Sequence, residues 1–149
     1  MNRLSCRSRC QEQLGRLRKA AIFDGNATAL VCGDVSVSRR ELVDRVARLA
    51  SVPRVCGLTA GSRAAMLAAN SHRYVEFYFA VLWAGGVVIP VNSRFALPEM
   101  VEQVRDPSPT ILIADQTFAE AGQQLAEAAS LIKALLLIKG GSASGCAIE

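Results

Sequence analysis

The residues able to do chemistry in this chain are few, and their spacing restricts what they could do. His72 is the only imidazole, and Ser71 stands beside it, a pair that invites a nucleophile-and-base reading. Such a pair works only with a third group orienting the imidazole and with donors for an oxyanion. Adjacency in sequence supplies neither, so His72 reads as an exposed residue near a helix start. Asn70 and Ser71 read more readily as caps of that helix than as ligand contacts. The run KGGSASG, Lys139 to Gly145, is the nearest thing to a phosphate cradle. A cradle needs backbone N–H groups turned to one point and, as a rule, a following lysine. No lysine follows, and the run reads as loose tail. No GxGxxG follows a strand either, which removes a dinucleotide turn.

Cys6, Cys10, Cys32, Cys56 and Cys146 form no CxxC pair, and a tetrahedral metal site needs three or four converging ligands. Unpaired reduced thiols are the expectation, and they suit a cytoplasmic protein. No catalytic, cofactor-binding or metal-ligating residue is therefore assigned.

Charge narrows the partners. The formal net charge is +4, but residues 1–19 hold six basic residues against Glu12 alone, and the remainder is slightly acidic. A nucleic-acid surface needs a basic stripe with base-reading side chains on a folded face, and none is present. The Arg-rich arm, residues 1–19, reads as a surface helix leading into the domain; the other reading is a transit peptide. The longest uncharged stretch, Phe77 to Ser93, is broken by Gly85, Gly86 and Pro90. It falls short of the roughly 20 residues of a membrane-spanning helix.

These residues must be positioned by regular elements, and the apolar pattern supplies them. Leu14, Leu17 and Ala21 fit one face of a helix. ALVCGDVSVS is two short β-rich runs joined at Gly33-Asp34, a hairpin. Ser38 with Glu41 is a capping box, opening a helix with Leu42, Val46 and Leu49 inward. Pro53 should end or kink it near Val52. RAAMLAA reads as a buried strand. HRYVEFYFAVLW, with five of the chain's eight aromatics, reads as a helix covered on most sides and stopped at Gly85 or Gly86. VVIPVN is a strand in which Pro90 is tolerable only at an end. Pro98 and Glu99 open a helix with Leu97, Val101 and Val104 inward. TILIA is a strand, TFAEAGQQLAEAAS a helix and KALLLI a final strand. Strands alternating with helices predict an α/β fold, a mostly parallel sheet flanked by helices and preceded by a β-hairpin. Three segments follow: an arm over 1–19, the domain over 20–139 and a Gly/Ser-rich tail over 140–149. There is no internal repeat.

The ordered set of segments resembles the beginning of AMP-forming acyl-CoA synthetases, fatty-acid–CoA ligases of the adenylate-forming, AMP-binding superfamily. NATALVCGDVSVSRRELVDRVARLA is similar to the family's opening hairpin and helix. GLTAGSRAAMLAANSHRYVEFYFAVLWAGGVVIPVNSRF follows its order of Gly turn, apolar strand, Asn-Ser turn, aromatic helix, Ala-Gly stop, apolar strand and Asn-x-Arg. ALPEMVEQVRDPSPTILIAD resembles the next helix and strand. Pro53 departs from relatives, which commonly continue the preceding helix without proline. The resemblance implies part of an N-terminal subdomain of the adenylate-forming fold. It also implies a reaction in which carboxylate, ATP and CoA give acyl-CoA, AMP and pyrophosphate, with ATP, Mg and CoA bound by the intact enzyme.

The family grips the phosphates with a Ser/Thr/Gly-rich loop ending in Pro-Lys, and adds a Tyr-Gly-x-Thr-Glu segment, a ribose-binding Asp and a Lys in a small second domain. None of these is in the sequence, so no cofactor is expected on this fragment and inactivity alone is expected. A full-length synthetase or a complementary chain is the expected partner. Under the same resemblance, Tyr74, Phe77, Tyr78, Phe79 and Trp83 could line an acyl pocket, though core packing fits their spacing better. Asn92 and Arg94 match the Asn-x-Arg loop, with positioning near a cleft and backbone hydrogen bonding both open. Arg63 matches an arginine at a strand start and reads as structural.

Overall fold

The computed structural model describes the backbone of residues 3–138 and 146–148, and the side chains of residues 12–138. A helix α1 (Arg3–Phe23) comes first, followed by β1 (Thr28–Cys32) and β2 (Val35–Ser38), an antiparallel pair. Gly33 turns the hairpin at φ 58°, a conformation that costs glycine nothing. Ser38 then opens α2 (Arg39–Leu49) with the capping box foreseen: Glu41 N–H donates to Ser38 Oγ at 3.3 Å, and Ser38 N–H donates to Glu41 Oε2 at 2.9 Å. Those bonds to its charged form hold the Glu41 carboxyl below its ordinary value, the backbone bond contributing most. Leu42 and Val46 are buried against Ala29, Leu30 and Val37, and Leu17 of α1 packs on the same cluster.

Proline breaks the next stretch as its missing N–H requires. α2 stops at Leu49, Ala50 intervenes, and Pro53 sits in the first turn of a separate short helix α3 (Ser51–Val55), where no intrahelical donor is needed.

The centre of the molecule is a four-stranded parallel sheet. Its strands are β3 (Arg63–Leu67), β4 (Val87–Pro90), β5 (Ile111–Asp115) and β6 (Ala134–Ile138), ordered β4-β3-β5-β6. Connecting helices are α4 (His72–Trp83), α5 (Leu97–Arg105) and α6 (Ala119–Ala128). Ala64, Met66, Ile111 and Ile113 point to one face, where Tyr74, Phe77, Tyr78 and Val81 of α4 cover them. Ala65, Leu67, Leu112 and Ala114 point to the other, beneath Met100 and Val104 of α5 and Leu125 of α6. Both faces are dry, which is why β3 and β5 show no alternation of apolar and polar residues.

The aromatic helix α4 is covered twice over. While its first face meets the sheet, Val75, Phe79 and Trp83 reach the hairpin cluster. Gly85, at φ 89°, ends it. Pro90 lies at the end of an edge strand, the one place a missing donor is harmless. In α5, Pro98 lies in the first turn, and Glu99 Oε2 accepts the Ala96 N–H at 2.8 Å. Its buried residues are Met100 and Val104, with Leu97 and Val101 half-buried at the margin; the sequence reading overlooked Met100.

β6 is not the last strand. β7 (Cys146–Ile148) pairs antiparallel with β1 and completes a second sheet, β2-β1-β7. Residues 140–145, read as loose tail, lie outside the described residues.

Candidate functional site

In an open parallel sheet the binding crevice forms where successive connections leave in opposite directions, beyond the carboxyl ends of the strands. Here that point lies between β3 and β5, because α4 leads to one side of β3 and α5 crosses back to the other. The residues that emerge there are Ala69, Asn70, Ser71 and His72 after β3, and Asp115 at the end of β5.

Asp115 spans the gap. Its Oδ2 accepts the Ala69 N–H at 2.7 Å, and its Oδ1 accepts the Thr117 and Phe118 N–H groups at 2.9 and 3.2 Å. The carboxylate therefore ties the exit of β3 to the 3₁₀ turn before α6. Three backbone donors at this point are thereby engaged by the protein's own anion.

Ser71 caps α4, with its Oγ accepting the Tyr74 N–H at 3.2 Å, and is buried. Asn70 is exposed beside it. His72 departs from its reading: it is half-buried as the first residue of α4, and its Nδ1 is enclosed with no hydrogen-bond partner. The surroundings lack the acid that a triad would place on that nitrogen. One turn on, Glu76 is fully buried and accepts from Arg45 of α2 at 3.1 Å and from Arg73 at 3.0 Å. This pinned carboxylate joins α2 to α4. It has no counterpart in the sequence reading, although a single acid within an apolar helix, three residues after an arginine, was a usable signal.

Burial is the main cause that holds the His72 imidazole below its ordinary value of 6.5; Glu76 works against it, while Arg73 and Arg45 add to it. Below that value the unfolded chain binds the proton more readily than the folded one, so stability is complete above about pH 6.5 and declines as the pH falls toward the folded pKa. Urea midpoints measured at about pH 7.5 and about pH 5.5 should fall more for the native chain than for His72→Gln. Equal falls would remove His72 as the cause. The Tyr74 hydroxyl, chiefly through burial, is raised above its ordinary value of 10.0.

The Asn-x-Arg loop after β4 is built through its backbone. Gln103 of α5 donates to Pro90 O at 3.0 Å and accepts the Asn92 N–H at 3.1 Å. Asn92 Oδ1 accepts the Arg94 N–H at 3.1 Å, and the Arg94 side chain is exposed. Beside this loop lies an open depression of about 560 Å³ lined by Phe95, Pro98, Glu99, Glu102 and Gln103. Arg63, at the opposite end of the sheet, donates to Pro107 O at 2.6 Å and pins the loop before β5. The five aromatics of α4 all pack in the two core clusters. Among the described residues, no three His, Cys, Asp or Glu converge as metal ligands, and no helix is long and apolar enough to cross a membrane. Cys32 is buried and Cys56 half-buried; the side chains of Cys6, Cys10 and Cys146 lie outside the described residues.

Comparison with known proteins adds a family to this geometry. The sequence pattern of the family described as AMP-binding enzyme matches residues 17–144. A feruloyl-CoA synthase of Amycolatopsis is 38% identical over 108 residues, covering 72% of this chain and 22% of the relative. The 2-succinylbenzoate–CoA ligase of Arabidopsis thaliana is 35% identical over 101 residues, covering 68% and 18%. Among solved structures, a long-chain-fatty-acid CoA ligase from Rhodopseudomonas palustris superposes with a TM-score of 0.79 at 25% identity, over 87% of this chain and 33% of that one. A fatty acyl CoA synthetase of Mycobacterium tuberculosis gives 0.76 at 23% identity, over 84% and 26%, which speaks to fold alone. The chain spans about a fifth of the length of the curated relatives it matches.

Proposed function

The chain belongs to the AMP-binding enzyme family, and from that premise we propose that it supplies the N-terminal α/β portion of an acyl-CoA ligase and does not activate a carboxylate by itself. The whole enzyme would join a fatty or aromatic acid to CoA, as the names of its relatives say of them, and would do so at the expense of ATP. The observation that carries the reading is the state of the switch point. Activating a carboxylate requires donors that surround the triphosphate and a cation facing the charge that develops. Asp115 occupies the N–H groups of Ala69, Thr117 and Phe118 with a negative charge. The described residues at this point do not fit a nucleotide triphosphate, and on this reading the phosphate loop, the ribose acid and the catalytic lysine come from other sequence. That sequence is either a further part of the same polypeptide or a separate chain, a complementary half or a full-length synthetase. ATP, Mg and CoA belong to that assembly, which we place in the cytoplasm.

The purified 149-residue chain, given ATP, Mg and a panel of fatty and aromatic acids, is expected to show no acid-dependent ATP–pyrophosphate exchange above a protein-free blank. Exchange that depends on the acid and survives repurification would overturn the reading.

A further inference from the structure

We propose that Cys32 and Cys146 form a redox latch, a disulfide that fastens β7 to β1 under oxidising conditions, an inference independent of the ligase reading. Five cysteines are spread along the sequence with no CxxC pair, and spacing alone matches none of them. Topology does. β7 returns to the hairpin sheet from the far end of the chain and pairs antiparallel with β1. Its register sets Leu30 opposite Ile148, Val31 opposite Ala147 and Cys32 opposite Cys146.

That register is chemically specific. Residues directly opposite in an antiparallel ladder share one face of the sheet, with Cα atoms about 4.5 or about 5.5 Å apart according to the type of pair. Both separations fall within the roughly 4.4–6.8 Å that a disulfide spans. A slip of one residue would send the two cysteines to opposite faces. The apolar pattern opposes that slip, since Leu30 and Cys32 are buried while Val31 between them is half-buried, and the register sets Ile148 opposite Leu30. The other cysteines are placed elsewhere. Cys6 and Cys10 belong to α1, and Cys56 caps the end of α3. Among the described residues, no strand pairing sets any of them opposite Cys32.

The bond matters because β7 is three residues long and lies at the edge of its sheet, so its ladder alone holds it weakly. Joining it to Cys32 closes a loop that contains the whole four-stranded sheet. A cross-link over so long a loop restricts the unfolded chain strongly. The oxidant is a small-molecule disulfide, oxidised glutathione. One cysteine thiolate attacks it, a mixed disulfide forms, and one glutathione leaves. The second cysteine attacks the protein sulfur of that mixed disulfide and expels the second glutathione. Two protein S–H bonds give way to one S–S bond, glutathione takes the two electrons, and the two protons end on the released thiols. A reducing compartment keeps the pair as thiols, so the latch closes only when the poise becomes more oxidising.

The test treats the full chain with oxidised glutathione, alkylates the remaining thiols and digests with trypsin without reduction. Cleavage after Lys19, Arg39 and Lys139 leaves Cys32 in peptide 20–39 and Cys146 in peptide 140–149. The expected product is those two peptides joined, from a chain that stays monomeric on a non-reducing gel. The urea midpoint should rise by roughly 2 M on oxidation and fall back when dithiothreitol is added. Cys146→Ser should abolish both the joined peptide and the rise, and Cys56→Ser should leave both. Cys32→Ala should match Cys146→Ser; because Cys32 is buried, the Cys146 variant decides if the other does not fold. No joined peptide, a link between Cys6 and Cys10 in its place, or a link between two chains would overturn the proposal. A joined peptide with an unmoved urea midpoint would overturn it as well, since the bond would then fasten nothing.

Discussion

Replacing Arg45 and Arg73 together by methionine is expected to lower the unfolding free energy by about 3 kcal/mol, near the bottom of the range for stranding a buried charge. Glu76 is wholly enclosed, and its carboxylate has been taken out of water at a cost of several kcal/mol. Two guanidinium groups, at 3.1 and 3.0 Å, offset that cost. The arginines themselves are 34% and 40% exposed, so solvent screens part of each attraction, which places the estimate low in the range. Either single replacement leaves one charge-assisted bond in place and should cost only about 1 kcal/mol. The double change should therefore exceed the sum of the singles, a signature of shared work on one acid. Glu76→Gln is expected to cost less than the double change, since the two freed arginines can turn to water. Urea unfolding of the four variants at neutral pH measures all of this. Strict additivity, with a total of about 2 kcal/mol or less, would mean that Glu76 does not depend on the pair.

The functional side of that hub is mechanical. Arg45 is on α2, Arg73 and Glu76 are on α4, and α4 begins at the capped turn beside the switch point. The ion pairs fix the direction in which β3 hands over to α4. Asp115 fixes the neighbouring exit from β5. Two buried or half-buried carboxylates thus hold both rims of the crevice, while neither is arranged to react with a ligand.

The long-range partner of neither carboxylate, Arg45 for Glu76 and Ala69 for Asp115, was legible in the sequence, and the reason is physical. The hairpin turn, the Ser38 capping box, the Ser71 cap and the Pro98 helix start all rest on residues within a few positions of one another, and local chemistry decides them. Helix and strand identities followed from apolar periodicity for the same reason. Adjacency did not. Nothing local says that β5 lies beside β3 and not beside β4, and the Asp115–Ala69 bond spans that adjacency. β7 is a second example, since its pairing with β1 joins opposite ends of the chain. His72 was read as exposed because one polar residue at a helix start usually is, yet its neighbourhood of Glu76, Arg73 and Arg45 is formed by two helices meeting. The Asn92 loop was left open between two roles, and the bond from Gln103, eleven residues on, supplies a backbone role.

The second large effect concerns the opposite face of the sheet. Leu112→Ala is expected to cost about 4 kcal/mol, in the upper part of the range for leucine truncation. The residue is fully buried on β5, an interior strand, and fills the space below α5 and α6 with Leu67, Met100, Val104 and Leu125. The cost of such a truncation depends on whether neighbours can move in to close the void. Here they cannot. Gly122 already brings α6 against β5, since a side-chain carbon placed on it would lie 2.9 Å from the Ala114 methyl. The helix has no further approach available, so the cavity stays open. Ile113→Val, on the α4 face of the same strand, removes one methyl group and should cost only about 1 kcal/mol. Against a typical stability of roughly 5–15 kcal/mol, the first change would leave a chain unfolded in modest urea and the second would not. A loss below about 1 kcal/mol for Leu112→Ala would mean that α6 settles inward after all. In that case the Gly122–Ala114 contact could not be what sets the height of the helix above the sheet, and Asp115, at the end of the same strand, would lose the rigid footing from which it closes the crevice.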